Sequence, residues 1–405
     1  MRIASRCARR LHVSTMSSCL STAAPSFHAD SLNSSRRRRD DVLPYEILSA
    51  IFSYISHSHI LHLRHLLFVC RSWSHVISQE AGLWSSIRIN RELHQYFDEC
   101  KGFNKAQAAN FVSLCISRSR SHPLSIIMDL TSFGTWSGMV RESVKIDMFP
   151  LFGILIGPLG QHALRWHSLE WHALIHMSEI ISILPPRLPQ LKYLRLYWFE
   201  WDQQNKLIFP PSPNLEVVEL HEHREYERQL FGECHSHTVK ELLVESEWVW
   251  HVEDLLYFAS FKSILRLTLS SSLEGAQLLM KDPEKIHLPQ LKALRLKGCV
   301  HLDLVGLLGA PSLNKVEFDH NESITSIASH LVSTNIETIA ALIPPPSSVS
   351  PHMTIAAALI DLVTSLHGLR ILWIKKWIYD LLTADDCPLD TSGILGHAIR
   401  LIIED

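Results

Sequence analysis

The chain has 405 residues, 46% hydrophobic and 20% charged, with 11 Trp and a formal net charge of −3. That is apolar material for two or three domains, or for one domain plus an elongated array. The slight acidity argues against a general nucleic-acid binder, whose affinity rests on basic side chains meeting phosphates.

The eight Cys form no CxxC pair, which suits reduced thiols in the cytoplasm or nucleus. Pro and Gly interrupt the longest uncharged stretches, 148–164 and 338–360. Neither offers the ~20 unbroken apolar residues of a membrane span.

Residues 1–40 hold eight Arg against Asp30 and Asp40 and are rich in Ser. The composition fits a disordered basic tail or an organelle transit peptide. The tail is the reading taken, with RRRR at 36–39 as a weak nuclear-import or solubility feature.

The next segment, DVLPYEILSAIFSYI at 41–55, is over-supplied with apolar side chains. On a helical wheel from Pro44 they cover roughly 200°, whereas one buried helix face needs a little over ~100°. Residues 43–84 continue as LPYEILSAIFSYISHSHILHLRHLLFVCRSWSHVISQEAGLW. Leu43-Pro44, Ile47-Leu48, Ile51-Phe52, Leu61 and Leu63, Val69-Cys70-Arg71-Ser72-Trp73 and Leu83-Trp84 together resemble an F-box. The departure is HSHILHLRHLLF, a residue or two long for the second helix.

The resemblance implies three helices over 41–90 that bind a Skp-type adaptor and, through it, a cullin scaffold. It places Leu43, Pro44, Ile47, Leu48, Ile51, Phe52, Val69 and Trp73 at or next to that adaptor, and it makes Cys70 a buried member of the pattern rather than a nucleophile. The excess surface of the first helix then has two uses, the segment's own core and another chain. A unit of ~45 residues buries too little to be very stable alone, which agrees with a dependence on partners.

Residues 91–121 read as a helical linker, with a helix over 104–121, and 122–130 as a strand that could begin a sheet. RESVKIDMFPLFGILIGPLGQHALRW is expected to be helical in part. Beyond it a repeat emerges. LPQLKYLRL (188–196) and LPQLKALRL (288–296) differ at one position, and L-x-x-L-x-L-like segments begin at 166, 191, 215, 239, 264, 291, 313, 336 and 369. The spacing of 22–27 residues, with one of 33, resembles leucine-rich repeats of roughly 20–29.

Helix-like spacing at 246–261, 272–282 and 323–334 supplies return segments. The ninth repeat position, usually Asn or Cys, is met by Cys299 and Asn321, whereas Phe199, His223 and Ser272 stand at others. The expected fold class is therefore α/β: an N-terminal three-helix F-box followed by an irregular leucine-rich-repeat-like solenoid, a horseshoe, over 122–385. A loop is expected at 344–351 and a C-terminal tail at 386–405.

Because side chains alternate along a strand, the third, fifth and seventh residues of each repeat face outward. They include Tyr193, Arg195, Tyr197, Glu219, His221, Glu241, Glu245, Arg266, Thr268, Arg295, Lys297, Lys315, Glu317 and Asp319. This surface of mixed sign suits a protein target.

The segment 221–237, with His221, His223, Cys234, His235 and His237, contains possible metal ligands, but its spacing fits no familiar zinc motif; a solvated loop is expected. His57, His59, His62 and His65 are expected to be exposed. No phosphate-binding loop, nucleophile elbow or zinc-protease motif occurs, so neither catalysis nor a cofactor is expected. The function implied is a substrate-recognition subunit that presents a target protein for ubiquitination. An adaptor-binding scaffold without a ligase role, and more remotely a metal enzyme, are the alternatives.

Overall fold

The computed structural model describes residues 43–58, 60–99, 102–131, 142–176, 181–200, 208–223, 231, 233–246, 260–271, 286–298, 308–319, 335–345, 350–366, 368–384 and 400–404. Two units are distinguished, Met1–Pro44 and Tyr45–Asp405, and everything below concerns the second unless stated.

Three helices open it: α1 (Tyr45–Ser58), α2 (Ile60–Leu66) and α3 (Arg71–Gln79). Leu48 and Phe52 of α1, Ile60, Leu61 and Leu63 of α2, and Val76 and Ile77 of α3 are buried together. A 3-10 turn, Ala81–Trp84, closes the group. The buried Trp84 donates its indole N–H to the Ile77 carbonyl at 2.7 Å, which satisfies the only polar atom of a side chain otherwise suited to the core.

Among the described residues, twelve strands form one sheet whose order follows the chain. They are β1 (Ser86–Ile89), β2 (Leu124–Asp129), β3 (Trp166–His176), β4 (Tyr193–Glu200), β5 (Val217–His223) and β6 (Glu241–Ser246). The second half comprises β7 (Arg266–Ser271), β8 (Ala293–Gly298), β9 (Lys315–Phe318), β10 (Thr338–Ala341), β11 (Ile371–Lys375) and β12 (Arg400–Glu404). Every neighbouring pair is parallel.

A strand beginning at or within two residues of each of the nine repeat starts matches the spacing read from sequence. The local cause recurs in the hydrogen bonds. Just before a strand, the first apolar residue of the repeat donates its N–H to the carbonyl three residues back: Leu191 to Leu188, Leu215 to Ser212, Leu291 to Leu288, Leu313 to Ala310 and Leu369 to Leu366. This turn drives the first apolar side chain inward, and alternation then buries the fourth and sixth. Leu191, Leu194 and Leu196 are buried, as are Leu291, Leu294 and Leu296.

The sheet is longer than expected at both ends. Its first strand is β1, inside residues 41–90, rather than Leu124. The backbone of β1 pairs directly with β2, so the helical group runs into the sheet. The segment 91–121 is accordingly a return connection: α4 (Arg91–Tyr96), a two-stranded turn and α5 (Lys105–Arg118). Asn90 and Asn104 cap these helices by accepting from the N–H groups of Leu93 and Gln107, both at 3.1 Å, the geometry that makes Asn a preferred N-cap.

At the far end β12 lies within 386–405 and pairs with β11. A helix that the repeat pattern did not forecast, α7 (Ser350–Ser365), enters the stretch expected to be a loop, and α8 (Lys376–Leu382) follows β11. Between α5 and α7, the segment leading to Trp166 forms α6 (Glu142–Ile156). The return segments expected at 272–282 and 323–334, and nearly all of 246–261, lie outside the described residues, as do Ser272, Cys299 and Asn321.

Candidate functional site

The apolar excess of α1 divides into two faces. Leu48 and Phe52 point inward, while Ile47 and Ile51, one helical turn apart, stay 48% and 42% exposed. Tyr54, a further turn along at 83% exposure, shares their side of the helix by the i, i+4, i+7 spacing. Tyr54 was not among the contact residues that the F-box resemblance implied.

Trp73 of α3 is half-buried and meets Phe52 edge-on, with ring centroids 5.2 Å apart. It braces the inner layer and keeps part of its surface in solvent. Tyr45 at the start of α1 donates to Glu80 Oε1 at 2.5 Å, joining the beginning of α1 to the end of α3. This bond holds the phenol above its ordinary range.

The turn between α2 and α3 leaves Val69 57% and Phe68 83% exposed. Phe68 was missed, although it stands beside Val69 in the LLFVC run. Cys70 is exposed at the N-cap of α3, correcting the expectation that it is buried: it stands outside the first helical turn in a run, Phe68 to Ser72, that is exposed throughout. His62 and His65 are exposed, as expected; the His57 side chain and His59 lie outside the described residues. Leu43 and Pro44 belong to the first unit and are exposed.

The sheet's open face carries the second group. Every outward-facing residue named from the alternation is half-buried or exposed, and its strand neighbours Leu194, Leu196, Val218, Leu220, Leu242, Val244, Leu267, Leu269, Leu294, Leu296, Val316 and Phe318 are buried. Parallel register aligns these positions in rows across the strands. One row runs Glu170, Arg195, Glu219, and another His172, Tyr197, His221.

Within the first row Arg195 Nε donates to Glu219 Oε2 at 2.5 Å, and Arg195 Nη1 lies 3.6 Å from Glu170 Oε2. In the second, the Tyr197 ring is sandwiched between His172 and His221, with centroids 4.0 Å away on each side and planes within 15°. The rows are cross-linked. His172 Nε2 is 2.5 Å from Glu170 Oε1, while His221 Nε2 and Nδ1 face Glu219 at 3.3 Å and Glu245 at 2.6 Å.

His221 and Arg195 together hold the Glu219 carboxyl down to about 2, against the opposing effect of burial. His172 keeps Glu170 below its usual range in the same way. Arg195 is raised, chiefly by its bond to Glu219. Glu170 and His172 were not singled out from sequence because WHSLEW is a loose copy of the repeat. Only the register reveals that they complete both rows.

Further along, Arg266 pairs with Glu241, and Arg295 and Lys315 share Glu317 at 3.4 and 2.5 Å. Tyr193 and Lys297 stand at the same face, half-buried or exposed. Asp319 accepts from the Gly298 N–H at 2.7 Å.

The His-rich segment is not gathered into one place. His221 belongs to the open face, whereas His235 is fully buried against Phe209 and Phe231 and faces the Pro210 carbonyl at 3.2 Å. His237 is exposed, and the side chains of His223 and Cys234 lie outside the described residues. Among the described residues no group of three or more His, Cys, Asp or Glu is placed to hold a metal ion. Burial pushes the Cys115 thiol up, which leaves it a packing residue at neutral pH.

A family model described as F-box-like matches residues 40–90, the span that contains α1, α2, α3 and β1. No curated protein matches the chain. The chain thus carries an F-box-like segment of helices leading into a long parallel sheet, and that segment implies a role in protein–protein interaction, with an adaptor of the Skp type as its usual partner.

Proposed function

We infer that this chain is the substrate-recognition subunit of a cullin-based ubiquitin ligase. It binds a Skp-type adaptor through the outer faces of its first helices and presents a target protein held on the open sheet face. The observation that carries the reading is the division of α1: an ordinary surface helix has no reason to keep the side by side pair Ile47 and Ile51 in water next to a core face already formed by Leu48 and Phe52. Exposed apolar patches of this kind mark interaction sites, and Phe68 and Val69 extend the apolar supply.

The twelve-stranded array acts as an irregular leucine-rich-repeat-like solenoid. Its repeats each bury an apolar edge only by stacking on neighbours and leave one broad polar face for the target. Arg195, Tyr197, Glu219, Glu241, Arg266, Arg295, Lys297, Lys315 and Glu317, with Tyr193, supply the contacts. Arg195 with Glu219, Arg266 with Glu241 and Arg295 with Glu317 are already paired across strands, so the target meets a partly preorganised surface and less ordering cost is left to binding. The complex works in the cytoplasm or nucleus, and transfer chemistry belongs to its other subunits.

The test is co-purification of the full chain with a Skp-type adaptor and a cullin, followed by identification of proteins that accumulate when the chain is depleted. Capture of both, with an accumulating protein that binds the sheet, is expected. Capture of the adaptor without the cullin, or depletion that stabilises nothing, would overturn the ligase role.

A further inference from the structure

The charges on the open sheet face are sorted by strand. On β2 to β6 the outward carboxylates Asp129, Glu170, Glu219, Glu241 and Glu245 stand with a single guanidinium, Arg195, and β1 adds Arg88 at the edge. On β7 to β9 the outward cations Arg266, Arg295, Lys297 and Lys315 stand with Glu317 and Asp319. One half of the face is therefore acidic and the other basic.

Pairing within the sheet cancels neither excess. Arg195 is divided between Glu170 and Glu219, and Glu245, 44% exposed, is paired with the imidazole of His221. In the other half Glu317 is divided between Arg295 and Lys315. Lys297 forms no ion pair among the described residues. Arg266 and Glu241 pair across the boundary. Glu170 and Glu219 are held below the ordinary carboxylate range, so both stay charged at neutral pH.

Register sets the separation of the halves. Glu219, Leu243, Thr268 and Arg295 occupy one row on β5, β6, β7 and β8, and a strand spacing of ~4.8 Å puts the first and last ~14 Å apart. Leu243 and Thr268 between them are half-buried and uncharged, which makes a neutral seam. In the next row Glu245 and Lys297 flank Ser270, ~10 Å apart by the same spacing.

A partner of one sign meets attraction on one half and repulsion on the other, whereas a partner with both signs in the matching order gains on both. We propose that the target segment held on this face is itself charge-split, with a Lys/Arg cluster over β3 to β6, an Asp/Glu cluster over β7 to β9, and a short apolar stretch on Leu243 between them. This rests on the reading of the open face as the target surface. A span of ~14 Å corresponds to about four extended residues, which sets the length of the apolar stretch. Nucleic acid, negative throughout, is disfavoured by the acidic half.

The experiment uses the full chain and synthetic peptides at about 0.1 M salt, followed by calorimetry. The block peptide has a Lys run, the spacer Ser-Leu-Leu-Ser and a Glu run; the mixed peptide has the same composition with Lys and Glu alternating around that spacer. The block peptide binds at least about tenfold more tightly than the mixed one. Glu245→Lys in one half and Lys297→Glu in the other each weaken it by about tenfold. Asp361→Lys, at an exposed position of α7, leaves it unchanged. Near-ultraviolet circular dichroism establishes that each variant keeps its fold; if one is misfolded, the other carries the test.

Equal binding of block and mixed peptides, no binding of either at about 1 mM, or parental binding by a folded Glu245→Lys or Lys297→Glu chain would overturn the assignment. Equally tight binding of a peptide with the Glu run alone would also overturn it, leaving a plain anion surface. Block-peptide binding that emerges only when Arg36, Arg37, Arg38 and Arg39 are changed to Gln would assign the acidic half to the chain's own Arg run instead of a partner. No adaptor or cullin enters the assay, so a failed ligase role leaves these results standing, and failed peptide binding leaves adaptor capture standing.

Discussion

Replacing Ile47 and Ile51 together by Ala separates the two faces of α1. Full burial of an isoleucine side chain is worth about 1.5–3 kcal/mol, and each of these residues has roughly half of its surface still free, 48% and 42%. Covering that remainder at an adaptor contributes about 1 kcal/mol per residue, so the pair should weaken the adaptor by about 2 kcal/mol, roughly 30-fold. The fold itself should lose less than about 1 kcal/mol, because Ala is the better helix former and partly offsets the lost contacts. Leu48→Ala, on the adjoining buried face, should cost about 2–5 kcal/mol of stability through the cavity it leaves.

The assay pairs calorimetric titration of purified adaptor with thermal unfolding of each variant. If Ile47→Ala/Ile51→Ala bound the adaptor as the parent does, or melted as early as Leu48→Ala, the assignment of inner and outer faces would be refuted.

Other outcomes follow from particular contacts. Glu219 has its folded pKa depressed to about 2, so its contribution is fully present above the unfolded value near ~4.3 and is lost as pH falls towards 2. After allowance for solvent screening it is worth about 1–2 kcal/mol; chemical denaturation of parent and Glu219→Gln should differ by that amount at neutral pH and converge in acid. Gly160 has φ of 79°, and a Cβ there would meet Pro185 Cβ at 2.5 Å. Gly160→Ala should therefore lower stability by about 1–3 kcal/mol, whereas Gly153→Ala, with open space around it in α6, should raise it by about 0.5 kcal/mol. Deleting residues 400–405 removes β12 and leaves the β11 edge unpaired, so size-exclusion chromatography should reveal self-association.

How far the sequence announces this architecture differs from element to element. The repeat starts were legible because three inward side chains per unit, such as Leu191, Leu194 and Leu196, impose a spacing that no loop shares. β1 was not legible: SIRI is four residues long and lies inside a pattern already accounted for by Leu83-Trp84. β12, RLIIE, stands alone with no second copy of its motif nearby, and α7 interrupts the rhythm at the one long spacing of 33.

At the site, the excess of α1 was visible on a wheel, but not which side would be covered. That division depends on where α2 and α3 pack. The rows of Glu170, Arg195 and Glu219 and of His172, Tyr197 and His221 depend on strand register, which brings together residues 24–25 positions apart. Cys70 illustrates the opposite case, a residue placed correctly in a motif whose exposure is set by the turn that ends there.

The most direct test of the central claim is amide hydrogen exchange of the full chain with and without a Skp-type adaptor. Slowed exchange is expected along α1 and from Phe68 to Trp73, with the strands β3 to β9 unchanged and their open face left free for a target. Protection confined to the sheet, with none on α1, would contradict it.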